Sequence, residues 1–343
     1  MLVIRPVRED DLDGVYLLAT KTGGGLTTLP PDKPRLLEKI RESVKNFDYR
    51  PSRPNGETFF FVLEDTTENK LVGTSAVYSK VGGFQPFWTY ELKTTVKKSV
   101  SLKVNKEVQY LQVKREHNGP SEVGTLFLDS DFREGNNGRL LSLSRFLFVA
   151  ENRDIFEDQF VAELRGRIDK NGNSIFWDCL GAHFFDVPFE KADLMVNEDK
   201  SFIDDLMPQH PIYVDLLPKE AQLVIGCVHD DTRPAMRLLE KEGFQQIDEV
   251  DIFEAGPILE VDTDSIRCVK NSLKVSLSKE ILKESSEDVK TFFMVANVTN
   301  YKSYKVVVSE IFLLADGEIS LPKDVVSELE IKVGDAVRYV AIR

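Results

Sequence analysis

Three small groups of residues in this chain have types and spacings that could do chemistry. The first is Arg133-Glu134-Gly135-Asn136-Asn137-Gly138. It lies between an apolar run (Val123, Leu126, Phe127, Leu128) and a stretch dense in Leu140, Leu141, Leu143, Phe146, Leu147 and Val149. That order reads as strand, tight polar loop and buried helix over 121–150. Such a loop gathers unpaired backbone N–H groups at the positive end of a helix dipole. Glycine lets an anion come close, so a phosphate could be held there. The second group is Thr22-Gly23-Gly24-Gly25-Leu26-Thr27-Thr28, where hydroxyls stand beside open backbone. Three consecutive glycines cannot be helical at low cost, so a loop is expected, either over a substrate or as a plain linker. The third is His229, followed by Asp230, Asp231 and Thr232. An imidazole titrates near neutral pH and can give or take a proton. A histidine at a helix start can equally be a satisfied structural residue, and spacing alone leaves both readings open.

The elements that must position these groups can be taken in order. A strand over 2–7 is followed by a helix capped at Asp10 or Asp11, then the glycine loop and a second helix over about 34–47. Strands over 58–64 and 71–78 form a hairpin. The stretch 79–120, with Gly82-Gly83, Trp88, Tyr90 and the basic run Lys93, Lys97, Lys98, gives no clear element. The central strand, loop and helix come next, then a strand over 160–164. Short helical pieces fill 167–219. A helix starting at Thr232 and Pro234 is stopped by Gly243. Glu254-Ala255-Gly256-Pro257 marks a break. Beyond it, strands over 292–295, 304–308 and 311–314 and a helix over 323–330 read as a small α+β extension.

Composition narrows the partners. With 44 basic against 57 acidic residues the formal net charge is −13. That argues against nucleic acid or an anionic membrane and suits a cationic small substrate. Three scattered cysteines form no C-x-x-C pair, which fits a reducing compartment. No His or Cys spacing suggests a metal site, and none is expected. The apolar start is too short for a signal peptide and no stretch approaches a membrane span, so a soluble cytoplasmic protein is expected.

The phosphate loop matches neither G-x-G-x-x-G nor G-x-x-x-x-G-K-[ST]. Its Arg-x-x-Gly-x-Gly cadence resembles the acyl-CoA pyrophosphate loop of GNAT-type N-acyltransferases. Asn136 stands where that pattern has its first glycine, and Gly135 comes one residue early. Asn tolerates left-handed backbone better than most residues, which would let the loop keep its course. Longer motifs extend the resemblance: Lys-Thr-Gly-Gly-Gly-Leu-Thr at 21–27, Ser-Glu-Val-Gly-Thr-Leu-Phe-Leu-Asp at 121–129 and Val-Ala-Glu-Leu-Arg-Gly at 161–166. To these are added Leu-Met-Pro-Gln-His-Pro-Ile-Tyr at 206–213, Val-His-Asp-Asp-Thr-Arg-Pro-Ala at 228–235 and Asp-Ile-Phe-Glu-Ala-Gly-Pro at 251–257. Together they resemble the bacterial arginine N-succinyltransferase family over most of residues 1–265.

That resemblance implies an α+β, GNAT-like fold, with a mixed, mainly antiparallel central sheet flanked by helices. It divides the chain into an N-acyltransferase-like domain over 1–256, with a helical insertion at about 167–219, and a small α+β subdomain over 257–343. It implies transfer of succinyl from succinyl-CoA, a cosubstrate and not a permanently bound cofactor, to the α-amino group of L-arginine or ornithine in arginine catabolism. The histidine matching His229 is the family's proton donor, and the leucine matching Leu126 contacts succinyl-CoA. Backbone N–H groups near Leu126 are expected to meet the tetrahedral oxyanion if that strand splays. Arg133 and the amides of Asn137, Gly138 and Arg139 are expected to take CoA phosphates, and the Gly23, Gly24, Gly25 loop to cover the acceptor. Glu122 or Glu163 could hold the substrate guanidinium, and Arg165 a carboxylate of the substrate or of the succinyl group. The alternative is a non-catalytic acyl-CoA or amino-acid sensing protein, or a partner subunit, that keeps the fold. A homo-oligomer and a hetero-oligomer with a related subunit are both open.

Overall fold

The computed structural model describes residues 1–23, 26–83, 85–196, 200–281, 291–314 and 317–342. The chain forms two compact units, each assembled from separated stretches. One comprises 1–80, 121–158 and 262–343, the other 81–120 and 159–261. In chain order the elements that matter for the site are β1 (Leu2–Pro6), α1 (Leu12–Thr20), α2 (Lys33–Asp48), β2 (Thr58–Asp65) and β3 (Lys70–Tyr78). After them come β4 (Phe87–Ser99), β5 (Val104–Glu116), β6 (Ser121–Leu128), α3 (Asn137–Glu151) and β7 (Gln159–Glu163).

In the first unit the sheet is buried on both faces, and the alternation of β2 shows how. Phe60 and Val62 pack with Leu36 and Ile40 of α2. Phe59 and Phe61 point the other way and meet Phe148 of α3, with ring centroids 5.1 and 5.3 Å apart. Leu36, Ile40 and Phe47 recur on one stripe of α2, and Asp32 caps that helix by accepting from the Arg35 N–H at 3.0 Å. α3 is buried from Leu140 to Val149, as its unbroken apolar run requires.

From residue 262 onward the tail extends this same sheet. The strand order is Phe312–Leu313, Ile319–Pro322, Leu273–Ile281, Ala336–Ala341, Phe293–Asn297, Lys305–Ser309, β1, β2, β3, β6. Ile4 of β1 pairs with Val306. The structure thus groups the chain differently from a division at residue 256. The edge of β1 not used by β2 carries N–H and C=O groups that need partners, and the tail supplies them. Pairing is antiparallel in this unit except between Leu273–Ile281 and Ile319–Pro322, which run parallel.

The second unit has its own strands, in the order β7, Pro257–Asp262, Gln245–Asp251, β4, β5, Ile212–Tyr213. β4 and β5 form a long antiparallel hairpin out of the stretch that gave no clear element in the sequence. Trp88 and Tyr90 at its inner end enter a core with Phe176 and Trp177. Its outer end, with Lys97 and Lys98, is exposed on both faces. A strand wetted on both sides loses the apolar alternation that would betray it. The expected helical pieces of 167–219 include Phe189–Met195 and Ser201–Leu206. Among the described residues no helix is long and apolar enough to cross a membrane.

Candidate active site

In the first unit the central feature is a defect in β6. Thr74 of β3 faces Phe127 and Ala76 faces Gly124, so Thr125 and Leu126 together stand opposite Ser75. This is a β-bulge: one residue more on β6 than on its partner, with the ladder disrupted there. Thr125 takes φ +51°. For a β-branched residue that is a rare conformation, costing on the order of 1–3 kcal/mol, and neighbours must enforce it. Thr74 Oγ1 donates to Thr125 O at 3.0 Å. Thr125 Oγ1 lies 2.8 Å from Tyr78 Oη and 3.1 Å from Lys39 Nζ. Ser75 is fully buried, and its Oγ has no hydrogen-bond partner. Leu126, the residue expected to contact the acyl donor, immediately follows the strained position and is half-buried.

The loop after β6 leads into the start of α3. Arg133 Nε donates to Leu128 O at 3.0 Å, and Asn137 Nδ2 to Phe132 O at 3.0 Å. The left-handed turn falls at Gly135, φ +53°, while Asn136 has φ −101°. The tolerance of Asn for left-handed backbone is therefore not what rescues this loop; the glycine one residue earlier takes the turn. Asn136 instead accepts from Arg139 Nη1 at 3.3 Å. No side chain caps α3; the Asn137 N–H donates to Glu134 O at 3.2 Å, and the N–H groups of Gly138 and Arg139 suit an anionic acceptor. A Cβ on Gly138 would come no closer than 3.9 Å to Leu128, so sterics do not demand glycine there.

Of the triple glycine, Gly23 is exposed with φ +67°, whereas Gly24 and Gly25 lie outside the described residues. Both ends of this loop are fastened. Before it, Lys21 Nζ bonds Asp129 Oδ2 at 2.5 Å, and this holds the 1 % exposed Asp129 below the usual carboxylate range. After it, Lys39 Nζ donates to Thr28 O at 2.7 Å. Glu122, on β6, pairs across the ladder with Tyr78.

The second unit holds His229, Arg165 and Glu163. Two glycines fix this region through backbone contact. A Cβ on Gly166 would meet Glu254 O at 2.3 Å, and one on Gly256 would meet Leu164 O at 2.1 Å. Only glycine permits that approach. Gly166 also bridges to Val228. The next residue, His229, donates its N–H to Arg165 O at 2.8 Å. It precedes the turn Asp230–Thr232 and the helix Arg233–Glu242. His229 Nδ1 accepts from the Asp231 N–H at 3.2 Å and lies 3.9 Å from Asp231 Oδ2; its side chain is 24 % exposed. With Nδ1 committed to Asp231, Nε2 is the nitrogen available to a substrate. Glu163 ends β7 and is exposed.

Beneath Arg165 lies a group of carboxyls. Arg165 Nε is 3.6 Å from Glu254 Oε2. Burial, together with the Asp251 charge, pushes Glu254 well above the usual range and Asp193 up to about 7. Burial also raises Asp251, although its Oδ1 accepts from the N–H groups of Phe253 and Glu254 at 2.8 and 2.7 Å.

Comparison with known proteins identifies the family. The arginine N-succinyltransferase beta subunit family model matches residues 2–268. The arginine N-succinyltransferase of Photorhabdus laumondii subsp. laumondii is 40% identical over 343 residues, covering 100% of this chain and 98% of its own. The chain belongs to the arginine N-succinyltransferase family. That of Escherichia coli (strain 55989 / EAEC) is 40% identical over 344 residues, covering 100% of this chain and 98% of its own. Arginine/ornithine succinyltransferase subunit AI from Pseudomonas aeruginosa has the same fold, with a TM-score of 0.89 at 31% identity over 100% of this chain and 99% of that one. The family model ends at residue 268, while these relatives span the tail as well.

Sequence reasoning missed Lys39, Tyr78 and Arg145 in the first unit and Asp193 in the second. Only Arg145 carried a signal, being a charged residue inside the apolar run 140–149. Asp193 sits in a helical insertion whose packing no local pattern reveals.

Proposed function

We propose that this chain transfers the succinyl group of succinyl-CoA to the α-amino group of L-arginine, with ornithine as the competing acceptor, in arginine catabolism. Full-length likeness to arginine N-succinyltransferases carries this reading. The α-amino nitrogen attacks the thioester carbonyl carbon. The resulting oxyanion meets N–H groups at the Thr125–Leu126 bulge. The C–S bond then breaks, giving the amide and CoA thiolate. His229 Nε2 takes the proton that the amine loses and returns it to the leaving sulfur. For that cycle Nδ1 must carry a proton when Nε2 accepts one, so its present bond from the Asp231 N–H has to give way to one with the Asp231 carboxylate, now 3.9 Å away. Leu126 contacts the acyl donor. Arg133 with the amides of Asn137, Gly138 and Arg139 takes the CoA phosphates.

Either Glu122 or Glu163 is assigned to the guanidinium of the acceptor. The Gly23–Gly25 loop is assigned to cover that acceptor. Arg165 is assigned to a carboxylate of the acceptor or the succinyl group. Its present partner is Glu254, 3.6 Å away, whose carboxyl is pushed above the usual range by burial.

The test is thiol release from succinyl-CoA with arginine, ornithine and lysine, comparing wild type with His229→Ala. Arginine-dependent release that falls at least about a hundredfold in the variant is expected for a lost general acid–base. Wild-type turnover by a folded variant removes His229 from the chemistry. No release with any acceptor, despite CoA binding, favours a sensing protein or a subunit that needs its partner.

A further inference from the structure

Two cations of the first unit converge on the bulge of β6, and neither forms an ion pair among the described residues. Arg145, on α3, is 2 % exposed. Its Nη1 donates to Gly124 O and Ala76 O, both at 3.3 Å. Its Nε and Nη2 are anchored on Ser142 O and Ser142 Oγ at 2.8 and 3.2 Å. Lys39, on α2, reaches the other face of the sheet. Its Nζ bonds Thr125 Oγ1 at 3.1 Å, Tyr78 Oη at 2.9 Å and Thr28 O at 2.7 Å. Glu42 feels the Lys39 charge but accepts from Thr58 Oγ1 instead.

A buried cation without a carboxylate is costly, and its hydrogen bonds here go only to neutral oxygens. Those oxygens belong to the bulge or flank it. Gly124 C=O shares its peptide plane with the Thr125 N–H, and Thr125 C=O, bonded by Thr74, shares its plane with the Leu126 N–H. A carbonyl that accepts a charged donor is polarised, and the N–H of the same amide becomes a stronger donor. The two cations also place positive charge beside those amides, and that of buried Arg145 is little screened from developing negative charge.

We infer that Lys39 and Arg145 are positioning residues for acyl transfer, clamping the Gly124–Thr125–Leu126 bulge from both faces of the sheet and polarising its amides toward the oxyanion. The same amine also bonds Thr28 O, which joins the segment before α2 to that bulge. This rests on the acyl-transfer reading above.

The test is steady-state kinetics of Lys39→Met, Lys39→Arg, Arg145→Lys and Thr125→Ala, with CoA binding measured by calorimetry and folding by circular dichroism. Lys39→Met and Arg145→Lys are expected to lower kcat by about tenfold or more, with KM for succinyl-CoA and CoA affinity within about twofold of wild type. Lys39→Arg should recover part of the loss, which a merely structural defect would not show. A folded Lys39→Met with wild-type kcat, or with a change confined to KM, overturns the inference. If Arg145→Lys does not fold, Lys39→Met and Thr125→Ala decide by the same criteria. A wild type without arginine-dependent turnover removes the acyl-transfer reading and this inference with it. Normal wild-type turnover with unaffected variants removes this inference alone.

Discussion

The two units gather ionisable groups of opposite type. The first holds Arg145 and the half-buried Lys39 against carbonyl and hydroxyl oxygens. Burial lowers Arg145 to about 9, which still leaves it charged at neutral pH. The second gathers the carboxyls of Asp193, Asp251 and Glu254, all raised by burial, with Asp251 on backbone N–H groups and Glu254 near Arg165. Neither arrangement is an efficient way to gain stability, since unpaired buried charge costs more than the apolar packing it displaces. The positive groups of the first unit suit phosphates and an oxyanion in the proposed chemistry. The difference teaches that net charge, −13 for the chain, says little about the local field a reaction experiences.

The strongest way to break the acidic side of this contrast is through backbone. Gly166→Ala places a Cβ 2.3 Å from Glu254 O, with backbone on both sides of the clash. A loss of more than about 3 kcal/mol is expected, read by urea denaturation. A shift under about 1 kcal/mol would mean that the glycine contact does not fix the Glu254 turn.

A gentler change sharpens the same contrast through pH. Asp193 is raised from its ordinary value to about 7. The folded state therefore keeps a proton that the unfolded chain loses, so this group's stabilising contribution is complete below about pH 4 and is lost as pH rises through about 7. Asp193→Asn should flatten thermal stability across that window, relative to wild type. Parallel wild-type and variant profiles would show that Asp193 is not held protonated.

The smallest effect is expected in the phosphate loop. Gly135 has a left-handed backbone with open space around it. Gly135→Ala should therefore cost only about 1 kcal/mol in stability, from backbone strain alone. CoA affinity should weaken modestly in calorimetry, while kcat at saturating succinyl-CoA stays near wild type. A large fall in kcat would place the loop in the chemistry and not only in binding.

What the sequence determined by itself was local. The strand–loop–helix of 121–150, the cap and apolar stripe of α2, and the helix bounded by Pro234 and Gly243 each follow from residue spacing within a single element. The glycines 166 and 256 were visible as motif members, but their purpose, two backbones in contact, was not. What only the tertiary structure decided was everything that depends on residues far apart in the chain. The bulge at Thr125 arises from register against β3, and its clamp joins Lys39, Tyr78 and Arg145. The tail joins the first unit because β1 leaves an edge to be paired. Periodicity records which face of an element is apolar; it carries no information on which distant polar atom meets that face, and in this chain those meetings set the charges around the site.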